Sequence, residues 1–99
     1  MRQVMVRYKV KPERAEENEQ LVRAVYEELA RTRPEGLRYA TYRLNDGVTF
    51  VHVATNDTAD GRSPLVHVDA FKRFQKDLAD RADEGPVVTE VSQVGAYGS

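Results

Sequence analysis

The sequence predicts an α+β fold, a ferredoxin-like βαββαβ sandwich in which a four-stranded antiparallel sheet carries two helices on one face. Three observations lead there. Four runs of alternating apolar residues are interleaved with two stretches of helical periodicity, the pieces follow one another in βαββαβ order, and together they fill nearly all of the 99 residues. A chain of this length supports one core, so residues 1–99 are expected to form a single domain.

Between Gln3 and Val10, Val4, Val6, Tyr8 and Val10 alternate with Met5, Arg7 and Lys9, the period of a half-buried strand. Pro12 ends this strand and suits a first helical turn, where Glu13, Glu16 and Glu17 meet the positive end of the helix dipole. Leu21, Val22, Val25, Tyr26 and Leu29 then form one apolar stripe, and Pro34 with Gly36 stops the helix. Leu37–Leu44 and Val48–Thr55 flank Asn45-Asp46-Gly47 and read as a β-hairpin. Two registers are open. A three-residue loop pairs Tyr42 with Phe50, whereas a two-residue turn shifts the pairing by one and exchanges the faces of the second strand. Asn56 to Ser63 is the longest loop and is expected to act as a lid. Ser63-Pro64 can cap a short turn, and Asp69 can cap a second helix that turns Phe71, Phe74, Leu78 and Ala82 inward. Gly85-Pro86 is expected to end that helix, with the last strand over Val87–Ala96 and a fraying tail to Ser99.

Fifteen basic against sixteen acidic residues leave a net charge of −1, which provides no field to gather nucleic acid or an anionic membrane. Only Tyr8 and Phe50 offer stacking rings on the central strands, so RNA binding is not expected. The absence of cysteine excludes disulfides and thiolate chemistry, and fits a cytoplasmic protein. No apolar run has the length of a signal peptide or a membrane span. Two histidines separated by fourteen intervening residues are no zinc ligand set, and the scattered glycines Gly36, Gly47, Gly61 and Gly85 form no phosphate loop. No metal or cofactor is implied.

Two helices cover one face of such a sheet and leave the other open. That face is expected to carry Met5, Phe50, Tyr42 and part of the last strand's valines, too apolar a set to meet only water. A homodimer through the open face is the expected partnership.

The chain also resembles a known family. A first strand running into Lys11-Pro12 and an acidic helix, Gly36-Leu37-Arg38-Tyr39 opening the second strand, and Ala70-Phe71-Lys72-Arg73-Phe74 in the second helix are similar to the antibiotic biosynthesis monooxygenase-like domains of the dimeric α+β barrel superfamily. This resemblance implies a homodimer with a pocket between the sheet and the helices of each subunit. It also implies oxidation of aromatic substrates by oxygen without flavin, metal or haem, although a related branch binds and degrades haem. The chain departs from the family pattern in having no tryptophan and in placing Ala70 where many members have histidine.

His52, among β-branched residues on a central strand, is the strongest candidate for a proton-handling group. If the chain catalyses the implied oxidation, His52 assists deprotonation, and Asn56 and Arg7 stabilise the developing negative charge. Tyr42 and Phe50 line the cavity, and His67 closes over its mouth. The ligand is then a small aromatic molecule. The alternative is a dimer that binds a ligand, or serves as structure, without turnover.

Overall fold

A computed structural model describes residues 1–60 and 62–98; Gly61 of the expected lid and Ser99 of the tail lie outside the described residues. Four strands, β1 (Arg2–Val10), β2 (Leu37–Arg43), β3 (Thr49–Asn56) and β4 (Ala82–Val91), form one sheet in the order β2-β3-β1-β4. All neighbours pair antiparallel. Helices α1 (Ala15–Thr32), α2 (Asp69–Lys76) and the short α3 (Leu78–Arg81) complete the ferredoxin-like α+β sandwich. None is long and apolar enough to cross a membrane.

Alternation on β1 sends Tyr8 and Val10 into the core, where they meet Val22 and Val25 of α1, Phe74 of α2 and Leu78 of α3. Tyr8 stacks on Phe50 of β3, their ring centroids 5.7 Å apart and nearly parallel. A 3₁₀ turn at Pro12–Arg14 leads into α1, which ends where Arg33 adopts a left-handed conformation ahead of Pro34. The stop is thus made three residues before Gly36. Gly36 has its own task, since its φ is +80° and a Cβ there would stand 2.5 Å from the Asp57 carbonyl oxygen.

Asp46 settles the hairpin register. Its carboxylate accepts hydrogen bonds from the Val48 and Thr49 amides at 3.0 and 2.8 Å, and from the Thr49 hydroxyl. These bonds hold the carboxyl near a pKa of about 2 and close a four-residue turn, with the Leu44 amide donating to the Thr49 carbonyl. Arg43 therefore pairs with Phe50, and Tyr42 with Val51. This is the shifted register, and it corrects the expectation that Phe50 lies on the open face: Phe50 is 1% exposed beneath α1. The open face instead carries rows that cross all four strands, Ala40-Val53-Met5-Thr89 and Tyr42-Val51-Arg7-Val87.

The second helix is also shorter than its periodicity predicts. It breaks at Asp77, and Ala82 is already in β4. Gly85-Pro86 lies inside β4 rather than before it, opposite the single residue Tyr8 between the pairs Arg7–Val87 and Lys9–Glu84. This is a bulge on an edge strand, where proline's missing amide hydrogen is tolerated. Glycine is required because φ is +80° and a Cβ would lie 2.8 Å from the Arg7 carbonyl oxygen. The last strand ends at Val91, so the residues expected to extend it to Ala96 do not pair, and Val94 and Tyr97 are fully exposed. Ser63 caps its turn as expected, accepting from the Leu65 amide. Asp69 does not cap α2. The Glu28 carboxylate of α1 takes that place, accepting from the Asp69 and Ala70 amides at 3.1 and 2.9 Å.

Candidate functional site

A cavity of about 280 Å³ opens between the helix-side face of the sheet and the segment from Ser63 to Leu78. Its size falls near the lower end of small-molecule pockets, roughly 300–1,000 Å³. The sheet contributes Val4, Val6, Tyr39, His52, Ala54 and Asn56, and Leu65, Phe71, Phe74 and Leu78 face them from the helices. The lining is mainly apolar, with polar groups at a few points.

His52 sits at the middle of β3, 4% exposed, and an aromatic cage surrounds it. The rings of Tyr8, Tyr39 and Phe74 have centroids 5.3, 5.7 and 5.3 Å from the imidazole. Both ring nitrogens are engaged. Nε2 shares a hydrogen bond of 2.7 Å with the Tyr8 hydroxyl, and Nδ1 one of 2.5 Å with the Tyr39 hydroxyl and a longer one of 3.1 Å with Thr41 Oγ1. Thr41 Oγ1 in turn lies 2.7 Å from the Tyr26 hydroxyl.

The same chain of contacts runs toward α1 and α3. Asn18 donates its amide hydrogen to the Tyr8 hydroxyl at 2.9 Å, and Arg81 Nε donates to Asn18 Oδ1 at 3.1 Å. Arg81 also donates to the Phe74 carbonyl at 2.7 Å and lies over the Phe74 ring. Arg81 is 1% exposed, and no carboxylate pairs with it among the described residues. Burial accordingly lowers its pKa from the usual guanidinium range.

Desolvation also governs the other titratable groups. Burial lowers the His52 pKa to about 4 and raises the Tyr8 and Tyr39 hydroxyls well above their ordinary value. The imidazole is therefore neutral at pH 7. It touches the cavity beside Tyr39, so proton handling by His52 would pass through the Tyr39 hydroxyl.

The depressed histidine pKa links stability to pH. An unfolded imidazole takes up a proton as pH falls below about 6.5, and the folded one does not until about 4. In that window the unfolded state binds more protons, so stability declines with falling pH. Urea unfolding is expected to show the protein about 2 kcal/mol less stable at pH 5 than at pH 7, at about 1.4 kcal/mol per pH unit below 6.5. Glu17, Glu19 and Glu28, whose partners lower their pKa in the fold, add a smaller loss in the same direction near pH 5, and His52→Gln should remove most of the difference. Equal stability of the wild type at both pH values would show a hydrated imidazole.

Asn56, the last residue of β3, lines the cavity too, as do Arg2, Ser63 and Gln75. It is 6% exposed, and its Oδ1 is buried without a hydrogen-bond partner among the described residues. An orphaned buried acceptor costs about 1–3 kcal/mol. Among the described residues no group of three or more His, Cys, Asp or Glu side chains could hold a metal.

Of the residues predicted for the site, His52 and Asn56 thus meet in one cavity and four do not. Arg7 and Tyr42 share a row on the opposite face of the sheet, because residue parity and the hairpin register turn them away from the helices. Phe50 faces the helices but is closed off in the core under α1. His67 is exposed in the turn before α2, outside the cavity lining. Sequence reasoning missed Asn18 and Arg81, although a signal was present. Asn18 interrupts the stripe that continues as Val22 and Val25, and Arg81 continues the Phe74–Leu78 spacing. A polar residue at an apolar position of a helix marks a buried network.

Solved structures share this architecture over nearly the whole chain. A candidate antibiotic biosynthesis monooxygenase from Nitrosomonas europaea superposes with a TM-score of 0.77 at 16% identity, over 96% of this chain and all of that one. An antibiotic biosynthesis monooxygenase gives 0.71 at 20% identity, with coverage of 96% and 100%. A candidate antibiotic biosynthesis monooxygenase from Caulobacter crescentus CB15 gives 0.68 at 23% identity, with coverage of 95% and 90%. The chain has the fold of the antibiotic biosynthesis monooxygenase-like proteins. At these identities the likeness is one of fold, and a shared fold does not by itself carry a function. No protein-family model matches the chain, and no curated protein matches it.

Proposed function

We propose that this protein is an antibiotic biosynthesis monooxygenase-like homodimer whose cavity takes a small, partly apolar aromatic molecule and supports its oxidation by dioxygen without a cofactor. The observation that carries this reading is the pairing, in one apolar cavity, of the Tyr39–His52 hydrogen-bonded unit with the Asn56 side chain. Phe71, Phe74 and Leu65 offer surfaces for rings, and Tyr39 holds an oxygen substituent.

The chemistry suited to such a site begins with a substrate whose methylene is acidified by conjugation to a ring carbonyl, as in anthrone. Ionisation moves negative charge onto the carbonyl oxygen, where Tyr39, held by His52, stabilises it. The carbanion reduces dioxygen. One oxygen atom replaces the two methylene hydrogens as a new carbonyl, and the other leaves with those hydrogens as water. Arg7, on the far face of the sheet, takes no part within one subunit.

Anthrone oxidation followed by oxygen uptake tests this reading. The wild type is expected to exceed the spontaneous rate, and Tyr39→Phe to lower kcat by about a hundredfold, the cost of removing one oxyanion donor. A protein that leaves the spontaneous rate unchanged would overturn catalysis. A second reading is a dimer that binds aromatic ligands without turnover, favoured by an imidazole whose two nitrogens are already occupied by phenols. Saturable binding of anthraquinone with no oxygen uptake from anthrone would select it.

A further inference from the structure

We propose that Arg81 and Asn18 are positioning residues that fix the direction of the buried hydrogen-bond chain, hold His52 as its Nδ1–H tautomer, and so make Tyr39 a hydrogen-bond donor to the cavity. The inference rests on the reading of that cavity as a ligand site, and it deepens it by naming the ligand group that the site selects.

Arg81 is the one group in this hydrogen-bond chain whose role is not adjustable. A guanidinium only donates. Arg81 Nε lies 3.1 Å from the Asn18 side chain, so the Asn18 atom facing it is the carbonyl oxygen, and the Asn18 NH₂ faces Tyr8 at 2.9 Å. Tyr8 therefore accepts from Asn18, and its own proton needs an acceptor. Tyr8 is 2% exposed, and the other polar atom bonded to its hydroxyl is His52 Nε2, at 2.7 Å. Donation from Tyr8 to Nε2 satisfies both groups, whereas the reverse direction leaves the Tyr8 proton buried and unpaired. With Nε2 as acceptor, a neutral imidazole carries its proton on Nδ1.

Nδ1–H then donates to the Tyr39 hydroxyl across the 2.5 Å contact. Thr41 Oγ1 is the weaker alternative at 3.1 Å and is already engaged with Tyr26. Once Tyr39 accepts from His52, its own proton is shared between the cavity it lines and the neighbouring Thr41 hydroxyl, and a ligand oxygen draws it into the cavity. Asn56 also lines the cavity. His52 and Asn56 are four residues apart on one strand, a rise of about 13 Å. The cavity thus offers a donor at the Tyr39 end. Its ligand class is an aromatic ketone or enolate whose oxygen meets Tyr39.

Long-range ¹H–¹⁵N correlation spectra of ligand-free protein at pH 7 test the chain without any ligand. The wild type is expected to show His52 as a single Nδ1–H tautomer. Asn18→Asp can no longer donate, so Tyr8 should turn its proton to the new carboxylate and His52 should switch to Nε2–H. A wild-type spectrum with Nε2–H overturns the proposal, as does a folded Asn18→Asp protein that keeps Nδ1–H. The wild-type measurement decides alone if the variant does not fold. Titration with 1-tetralone, an acceptor-only aromatic ketone, addresses the ligand class. Affinity should fall about tenfold in Asn18→Asp, the scale of one lost hydrogen bond. Equal affinity in the two proteins overturns the Tyr39 donor role. No binding to the wild type, with the tautomer as expected, overturns the ligand class and the cavity reading while leaving the hydrogen-bond chain intact.

Discussion

At micromolar concentrations the wild type is expected to sediment as a dimer and Val53→Asp as a monomer. Val53 occupies the middle of the open face, paired with Met5 on one side and Ala40 on the other. Val51, Val87 and Tyr42 extend this apolar centre, with Arg7 set between Val51 and Val87, and Gln3 and Arg38 lie at its edge on the same face. An apolar patch with a polar surround is the make-up of an interface core and its rim. Tyr42 and Val87 are about 60% exposed in the single subunit, so this surface has much area left to bury.

In a two-fold dimer every substitution acts twice, and near the axis the two new carboxylates would face each other. Burying an unpaired carboxylate costs several kcal/mol, so a loss of about 3 kcal/mol or more, over a hundredfold in Kd, is the minimum expected. Analytical ultracentrifugation reads the outcome directly. A wild type that sediments as a monomer would remove the homodimer from the proposed function, and a Val53→Asp protein that stays dimeric would place the interface elsewhere.

Arg81→Ala is expected to cost about 3 kcal/mol of folding stability, an unusually large loss for a charged residue. Most arginines are replaceable because water solvates their charge and their contacts alike. Arg81 instead donates to Asn18 Oδ1 and the Phe74 carbonyl inside the protein, with its guanidinium over the Phe74 ring. Truncation orphans two buried acceptors, at about 1–3 kcal/mol each, and opens a void beneath α3. Arg81→Met should cost about half as much, since it keeps the volume and removes the desolvation of a charge. Urea denaturation of the three proteins gives both differences. A loss under about 1 kcal/mol for Arg81→Ala would mean that solvent reaches the guanidinium.

These two predictions concern opposite faces of the same sheet, and they differ in how far the sequence foretells them. The alternation of β1 was enough to place Tyr8 inward and Met5 outward, because side-chain parity along a strand is a local property. Met5, Val51, Val53 and Tyr42 could thus be named as one apolar surface once a register was chosen. The register itself depended on Asp46, whose three hydrogen bonds set the turn length and so put Phe50 into the core. Turn residues alone left that choice open, since a one-residue slip reverses every face. The end of α2 was misjudged for a different reason. Ala82 keeps the helical spacing, but pairing with Val10 draws it into β4, and strand pairing outweighs a single residue's propensity.

By itself, then, the sequence determined the order of the elements and the side of the sheet on which β1's residues fall, and it singled out His52 and Asn56, which the fold brings to one cavity. These follow from periodicity and residue chemistry, which act over a few neighbouring positions. Tertiary structure alone decided that Tyr42 and His67 stay away from the cavity, that Tyr39 stands in it, and that Asn18 and Arg81 meet behind it. Arg81 and Asn18 are 63 positions apart in the chain and 3.1 Å apart in the fold. No local pattern encodes such a contact, because it exists only when α1 and α3 pack on the same sheet and exclude water from the groups they bring together.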